Sequence, residues 1–272
     1  MEPGGAAFTF SFTATPGVTY ISAMQTAARN LATFILLALL SGSCAGGGAA
    51  HRPVALHTGY AYAFLATKAE RLQDEDYYKA QRKWAKARKH YVRAYEQGVA
   101  GLERRHPGFA AALEASPGKA VEQTVTGDVP LLYWTAAALG AAIGTLKDKP
   151  EWVIRLPQVG TLAHRVTELQ PGYSGGAAYQ LLMIYEASRP AMMGGSVKLA
   201  KHYYDQALKI SGDQNAGLFV AYGESISVQE QDRETFIEMM NRALAIKGGG
   251  AVNRVARKRA KWLLGRIDDL FL

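Results

Sequence analysis

The sequence is short of cross-links, of metal and nucleotide motifs, and of acid near its N-terminus. A single cysteine, Cys44, in 272 residues excludes an intrachain disulfide framework and a cysteine-based zinc finger. The histidines (His51, His57, His90, His106, His164 and His202) are scattered and form no H-E-x-x-H pattern, so no metal site is expected. Neither a Walker A nor a G-x-G-x-x-G motif occurs, and no cofactor is expected. Alternation of period two is missing after His51, which argues against a sheet. Acid is the scarcer charge: 23 acidic against 31 basic side chains give a net charge of +8, an excess suited to anionic partners or surfaces. What is present is a chain 49% hydrophobic and 20% charged, apolar enough to exclude disorder and long enough for a sizeable core.

No acid lies between Glu2 and Cys44, Arg29 precedes an apolar run at 31–40, and Ser41-Gly42-Ser43 leads to the cysteine. A basic flank, a short apolar run and small residues at the cut describe an export signal over 1–43. The run is half the ~20 residues that a membrane span needs. Met24 offers an alternative start. The segment Leu40-Ser41-Gly42-Ser43-Cys44 resembles a bacterial lipobox, with its aliphatic residue one place further upstream than in the commonest pattern. That likeness implies lipidation of Cys44, which would anchor the protein to a membrane. It leaves 44–53, rich in Gly and Ala, as a flexible tether and 54–272 as the folded domain. Cleavage there removes one base, Arg29, and one acid, Glu2, so the charge excess survives. Ala45, where enteric lipoproteins retained at the inner membrane carry aspartate, favours the outer membrane.

After His51, apolar residues recur at three- and four-residue spacing between breaks at Gly, Pro and Asx, which predicts an all-α fold. A first helix is expected over 55–73 with Leu56, Tyr60, Ala63 and Phe64 as its core stripe. A long one follows over 74–105, opened by Asp74-Glu75-Asp76 and ended by His106-Pro107-Gly108. Asp128 is placed to cap an uncharged segment at 129–146, whose small residues Ala136, Gly140 and Gly144 suit a central helix packed closely by neighbours. Small–large–small spacings at Ala80-Trp84-Ala87, Ala87-Tyr91-Ala94 and Ala200-Tyr204-Ala207, with Phe236-Met240-Ala243 in permuted form, match the second helix of a tetratricopeptide repeat. The Trp-Leu-Gly-Tyr signature of the first helix is missing, so the expectation is degenerate tetratricopeptide-like hairpins around the uncharged central helix.

Chemistry is sparse. Gly172-Tyr-Ser174-Gly-Gly176 fits G-x-S-x-G, but a nucleophile elbow needs a preceding strand and the pattern before Ser174 is helical. No catalytic residue is expected. Lys79, Arg82, Lys83, Lys86, Arg88, Lys89 and Arg93 form an acid-free basic run, and Arg254, Arg257, Lys258, Arg259 and Lys261 lie on the expected polar side of a terminal helix. Nucleic acid is an unsuitable partner for an exported protein, which leaves a solvated face, a protein partner or anionic headgroups.

Three further stretches carry a resemblance. They are Val129-Pro-Leu-Leu-Tyr133-Trp134, then Met193-Gly194-Gly195-Ser196, then Tyr222 to Phe236 with Asp232-Arg233 inside it. With the lipobox, they are similar to the T component associated with tripartite ATP-independent periplasmic (TRAP) transporters. The resemblance implies a non-enzymatic periplasmic lipoprotein, trimeric, that engages the substrate-binding P component of a TRAP system. It also implies an apolar passage for a small ligand, with Tyr133, Trp134, Gly194, Gly195 and Ser196 as motif or cavity positions. Independently, Gly194-Gly195 can supply a turn and Ser196 a helix cap. The competing reading is a general scaffold lipoprotein for envelope assembly.

Overall fold

A computed structural model describes residues 50–271, and among these every regular element is helical. The described residues open with α1 (His51–Tyr60), pass through a π-helical stretch (Ala61–Ala66) and continue as α2 (Thr67–Leu72). The long α3 (Tyr77–Arg105) returns alongside them. Its N-cap is Asp76, which accepts from the Lys79 amide at 2.8 Å, so the acidic tripeptide starts the helix as expected. Two short helices, α4 (Phe109–Ala115) and α5 (Pro117–Glu122), lead to α6 (Val129–Thr145).

α6 is the uncharged segment, and it is buried almost along its whole length between α3, α7 (Leu156–Leu169) and α1. No described helix is long and apolar enough to cross a membrane. Small residues let α3 and α6 approach closely. A Cβ on Gly98 would stand 2.2 Å from Thr135 Oγ1, and one on Gly101 would stand 2.9 Å from Leu131.

Hairpin follows hairpin beyond α6. α8 (Ala177–Ser188) packs on α7 and α9 (Val197–Ser211), and α10 (Ala216–Tyr222) on α11 (Arg233–Ala245). A second π stretch, Gly223–Ser227, lies between these last two, and α12 (Gly250–Leu264) closes the array against α10 and α11. Ala80, Ala87, Tyr91, Ala94, Ala200, Tyr204, Ala207, Phe236, Met240 and Ala243 are buried, as their spacing predicts, whereas Trp84 is only half-buried against the core. The numbered helices range from 29 residues in α3 to 6 in α2 and α5, so the hairpins do not form a regular array.

Two expectations fail in instructive ways. The buried face of α1 and its continuation is Val54, Ala55, Thr58, Ala61, Tyr62, Leu65, Ala66 and Ala69, while Leu56, Tyr60 and Phe64 remain 62%, 46% and 63% exposed. The inner side meets α3 and α6 at short range, and mostly small residues fit there; the larger apolar residues are left outside. Arg259 is buried rather than solvated. It shares one stripe of α12 with Val252, Ala256 and Leu263, and that stripe faces the core.

Candidate functional site

The motif positions fall in two separate places. Tyr133 and Trp134, from the second turn of α6, are 3% and 1% exposed. Their rings meet edge-on at 5.3 Å, and Tyr133 also meets Tyr173 at 5.4 Å. Burial pushes the Tyr133 phenol well above its ordinary pKa, with Tyr173 adding to the rise. Cys44 lies outside the described residues.

Gly194, Gly195 and Ser196 form the turn between α8 and α9. Gly194 has φ +79°, a left-handed conformation that suits glycine. A Cβ on Gly195 would lie 1.9 Å from the Arg189 carbonyl oxygen, so the backbone passes where only glycine fits. Ser196 caps α9 by accepting from the Leu199 amide at 3.2 Å. Asp232 likewise caps α11, accepting from the Thr235 amide at 2.9 Å and from its hydroxyl at 2.6 Å. Those bonds hold the Asp232 carboxyl below its ordinary pKa.

Beside the glycine turn lies a polar–aromatic cluster with no sequence motif to mark it. Arg189 covers the Tyr185 ring at 3.9 Å and donates to Glu186 Oε1 at 2.5 Å. Glu186 is buried, and its Oε2 has no hydrogen-bond partner among the described residues. His164 meets Tyr203 at 5.8 Å, and Tyr203 meets Tyr179 at 6.3 Å. Burial lowers the His164 pKa against the opposing pull of Glu186 and Glu168, and burial raises that of Tyr203.

Two further ion clusters organise the fold. Arg259 donates to both Glu70 and Glu224; its Nη2 reaches Glu70 Oε1 at 2.9 Å and Glu224 Oε1 at 2.5 Å. Burial opposes the Arg259 charge, but the two carboxylates overcome it and raise its pKa. Glu224 belongs to the second π stretch, and Glu70 lies on α2 just past the first. Asp128 is fully buried. Its carboxylate does not cap α6 but pairs with Arg105 at 2.9 Å and His106 at 2.7 Å, and it accepts from the Val125 amide at 3.0 Å. The sequence places Asp128 at the helix start, but Arg105 and His106 from the end of α3 hold its carboxylate instead.

A groove of about 490 Å³ opens at the other end of the array, lined by Asp213, Phe219, Arg242, Ile246 and Lys247 among others. Arg242 lies over the Phe219 ring at 4.2 Å and pairs with Asp213 at 2.7 Å. Ser174 sits at φ +48° in a turn that follows α7, so a helix precedes it where a nucleophile elbow has a strand. The described residues hold no group of three or more His, Cys, Asp or Glu suited to a metal.

Helical hairpins in chain order, held by buried ion clusters and capped glycine turns, define an all-α protein. The chain matches the TRAP transporter T-component family over residues 26–271, and it belongs to that family. It is also similar to an uncharacterized protein of Treponema pallidum (strain Nichols), 25% identical over 237 residues that cover 82% of this chain and 73% of that one. Membership makes the protein an accessory component of TRAP transport, in a family of transporter components rather than of enzymes.

Proposed function

We propose that the protein is a lipid-anchored periplasmic subunit that docks the substrate-binding component of a TRAP system and has no catalytic role of its own. The observation that carries this reading is the family match over residues 26–271, which spans all the described hairpins. Cys44, behind its short apolar run, supplies the anchor, and Ala45 directs it to the outer membrane. A trimer would multiply the docking faces. Passage of a small organic-acid or apolar ligand is the finer part of the reading. Tyr133 and Trp134 stand in close-packed core, so a passage there needs α6 and the turn holding Tyr173 to part. The groove beside Phe219, Arg242 and Lys247 combines an aromatic floor with cations, which suits an organic acid better.

Co-purification with a TRAP substrate-binding protein from the same organism tests the docking. Recovery of a stoichiometric complex is expected, and failure across a range of salt concentrations overturns it in favour of a general envelope scaffold. Mass spectrometry of the mature protein tests the anchor. A diacylglyceryl-modified N-terminal cysteine is expected, and an intact Cys44 thiol refutes it.

A further inference from the structure

The outward row of α1 lies directly against the basic stripe of α3. His57 Nδ1 is 2.9 Å from His90 Nδ1, and the Tyr60 ring is 5.1 Å from the His90 ring and 5.5 Å from Phe64. Positions 79, 83, 86, 90 and 93 recur at three- and four-residue spacing, so Lys79, Lys83, Lys86 and Arg93 share the His90 face of α3. Arg82 and Lys89 flank that face. No acid occurs between Lys79 and Tyr95. Lys79, Arg82, Lys86, Lys89 and Arg93 are exposed, and none pairs with a described carboxylate. The surface is therefore a row of large apolar side chains bordered by unneutralised cations.

We propose that this face, with Leu56, Tyr60 and Phe64 bordered by Lys79, Lys86 and Arg93, is a second, non-covalent contact with an anionic lipid bilayer. Apolar side chains entering the headgroup boundary beside cations that meet lipid phosphates are the physical signature of an interfacial helix. The chain length before α1 points to the same occupant. Only residues 45–50 separate Cys44 from α1, and the seven steps from residue 44 to 51 reach at most roughly 25 Å fully extended. An anchored chain thus holds the start of α1 within that reach of the bilayer. A second copy presenting the same face would set cations against cations, which disfavours it as the occupant. The inference rests on the anchored reading only for this proximity.

The test uses the full chain carrying Cys44→Ser, with one nitroxide at Leu56→Cys or at Phe64→Cys, and a control at Met192→Cys, 84% exposed on a distant turn. Depth in the bilayer is read from collisional relaxation by oxygen and by a water-soluble nickel chelate, on phosphatidylglycerol and on phosphatidylcholine vesicles. The labels at 56 and 64 should become oxygen-accessible and chelate-protected on anionic vesicles, while the label at 192 stays aqueous. Replacing Lys86 and Arg93 by Gln should raise the anionic lipid needed for half-transition about fivefold per cation removed. Labels at 56 and 64 that stay aqueous on anionic vesicles overturn the proposal. So does dipolar broadening between labels on different molecules, which would assign the face to a second copy. The mass of the mature N-terminus reads the anchor separately, so failure of the face and failure of the anchor are distinguishable.

Discussion

Replacing Arg259 with methionine tests the electrostatic logic of the fold most directly. Arg259 donates to both carboxylate oxygens of Glu70 and, through Nε and Nη2, to Glu224 Oε1, and all three side chains are buried. Methionine keeps the volume of the stem but leaves two carboxylates in the core, where each must take up a proton or draw in water. Removing one partner of a buried ion cluster costs about 3–5 kcal/mol. At about 2–4 °C per kcal/mol for a domain of this size, thermal melting should fall by roughly 6–20 °C. The matched control removes all three charges as Glu70→Leu, Arg259→Met and Glu224→Leu. With no charge left to strand, this variant should melt within a few degrees of the parent or above it, because replacing buried ion triads by packed apolar residues is often neutral or stabilising by about 1–4 kcal/mol. Circular dichroism at 222 nm during heating reads both. An Arg259→Met protein that melts within about 2 °C of the parent would refute the reasoning, since that is under 1 kcal/mol.

Gly195→Ala sets a Cβ against the Arg189 carbonyl, so it should destabilise by about 1–3 kcal/mol, with a lower melting midpoint as the readout. Asp128→Asn keeps the shape but removes the charge that Arg105 and His106 hold. A loss of about 1.5–3 kcal/mol in urea unfolding is expected, and an unchanged midpoint would contradict it. Burial lowers the pKa of His57, His90 and His164 below the ordinary 6.5, with His90 and Arg93 adding for His57 and Arg93 for His90. The unfolded chain then binds more protons below that value, so stability is complete above pH 6.5 and declines as pH falls. Melting midpoints should drop between pH 7.5 and pH 5.5, less so in a His57→Gln/His90→Gln variant; a midpoint that rises on acidification would contradict the sign.

What was legible in the sequence was local. The spacing of apolar residues, the caps at Asp76 and Ser196, and the stop at His106 each depend on neighbours within one or two turns, and the helices begin and end close to where those signals lie. The glycine turn could be located, though not its cause, because the oxygen that forbids a Cβ on Gly195 belongs to Arg189 across the turn. Pairings set by topology left no trace in the pattern. Glu70 and Glu224 meet Arg259 only because α2, the second π stretch and α12 converge, and nothing in Arg254–Lys261 distinguishes the one buried cation except its place on the stripe with Val252 and Leu263. The α1 stripe was misassigned because hydrophobicity alone predicts the large residues inside, whereas the space beside α3 and α6 selects small ones.

The Glu70–Arg259 contact joins residues 189 positions apart. Glu70 emerges early in synthesis and cannot be neutralised by Arg259 until nearly the whole chain has followed. Closing so long a loop is slow, and until it closes the first hairpin carries an acid in a surface meant to be dry. Native packing at the N-terminal end is therefore contingent on α12, and a partly translated chain would stay loosely folded. On the exported, lipid-anchored reading proposed above, that delay is useful: the element that locks the fold is among the last to cross.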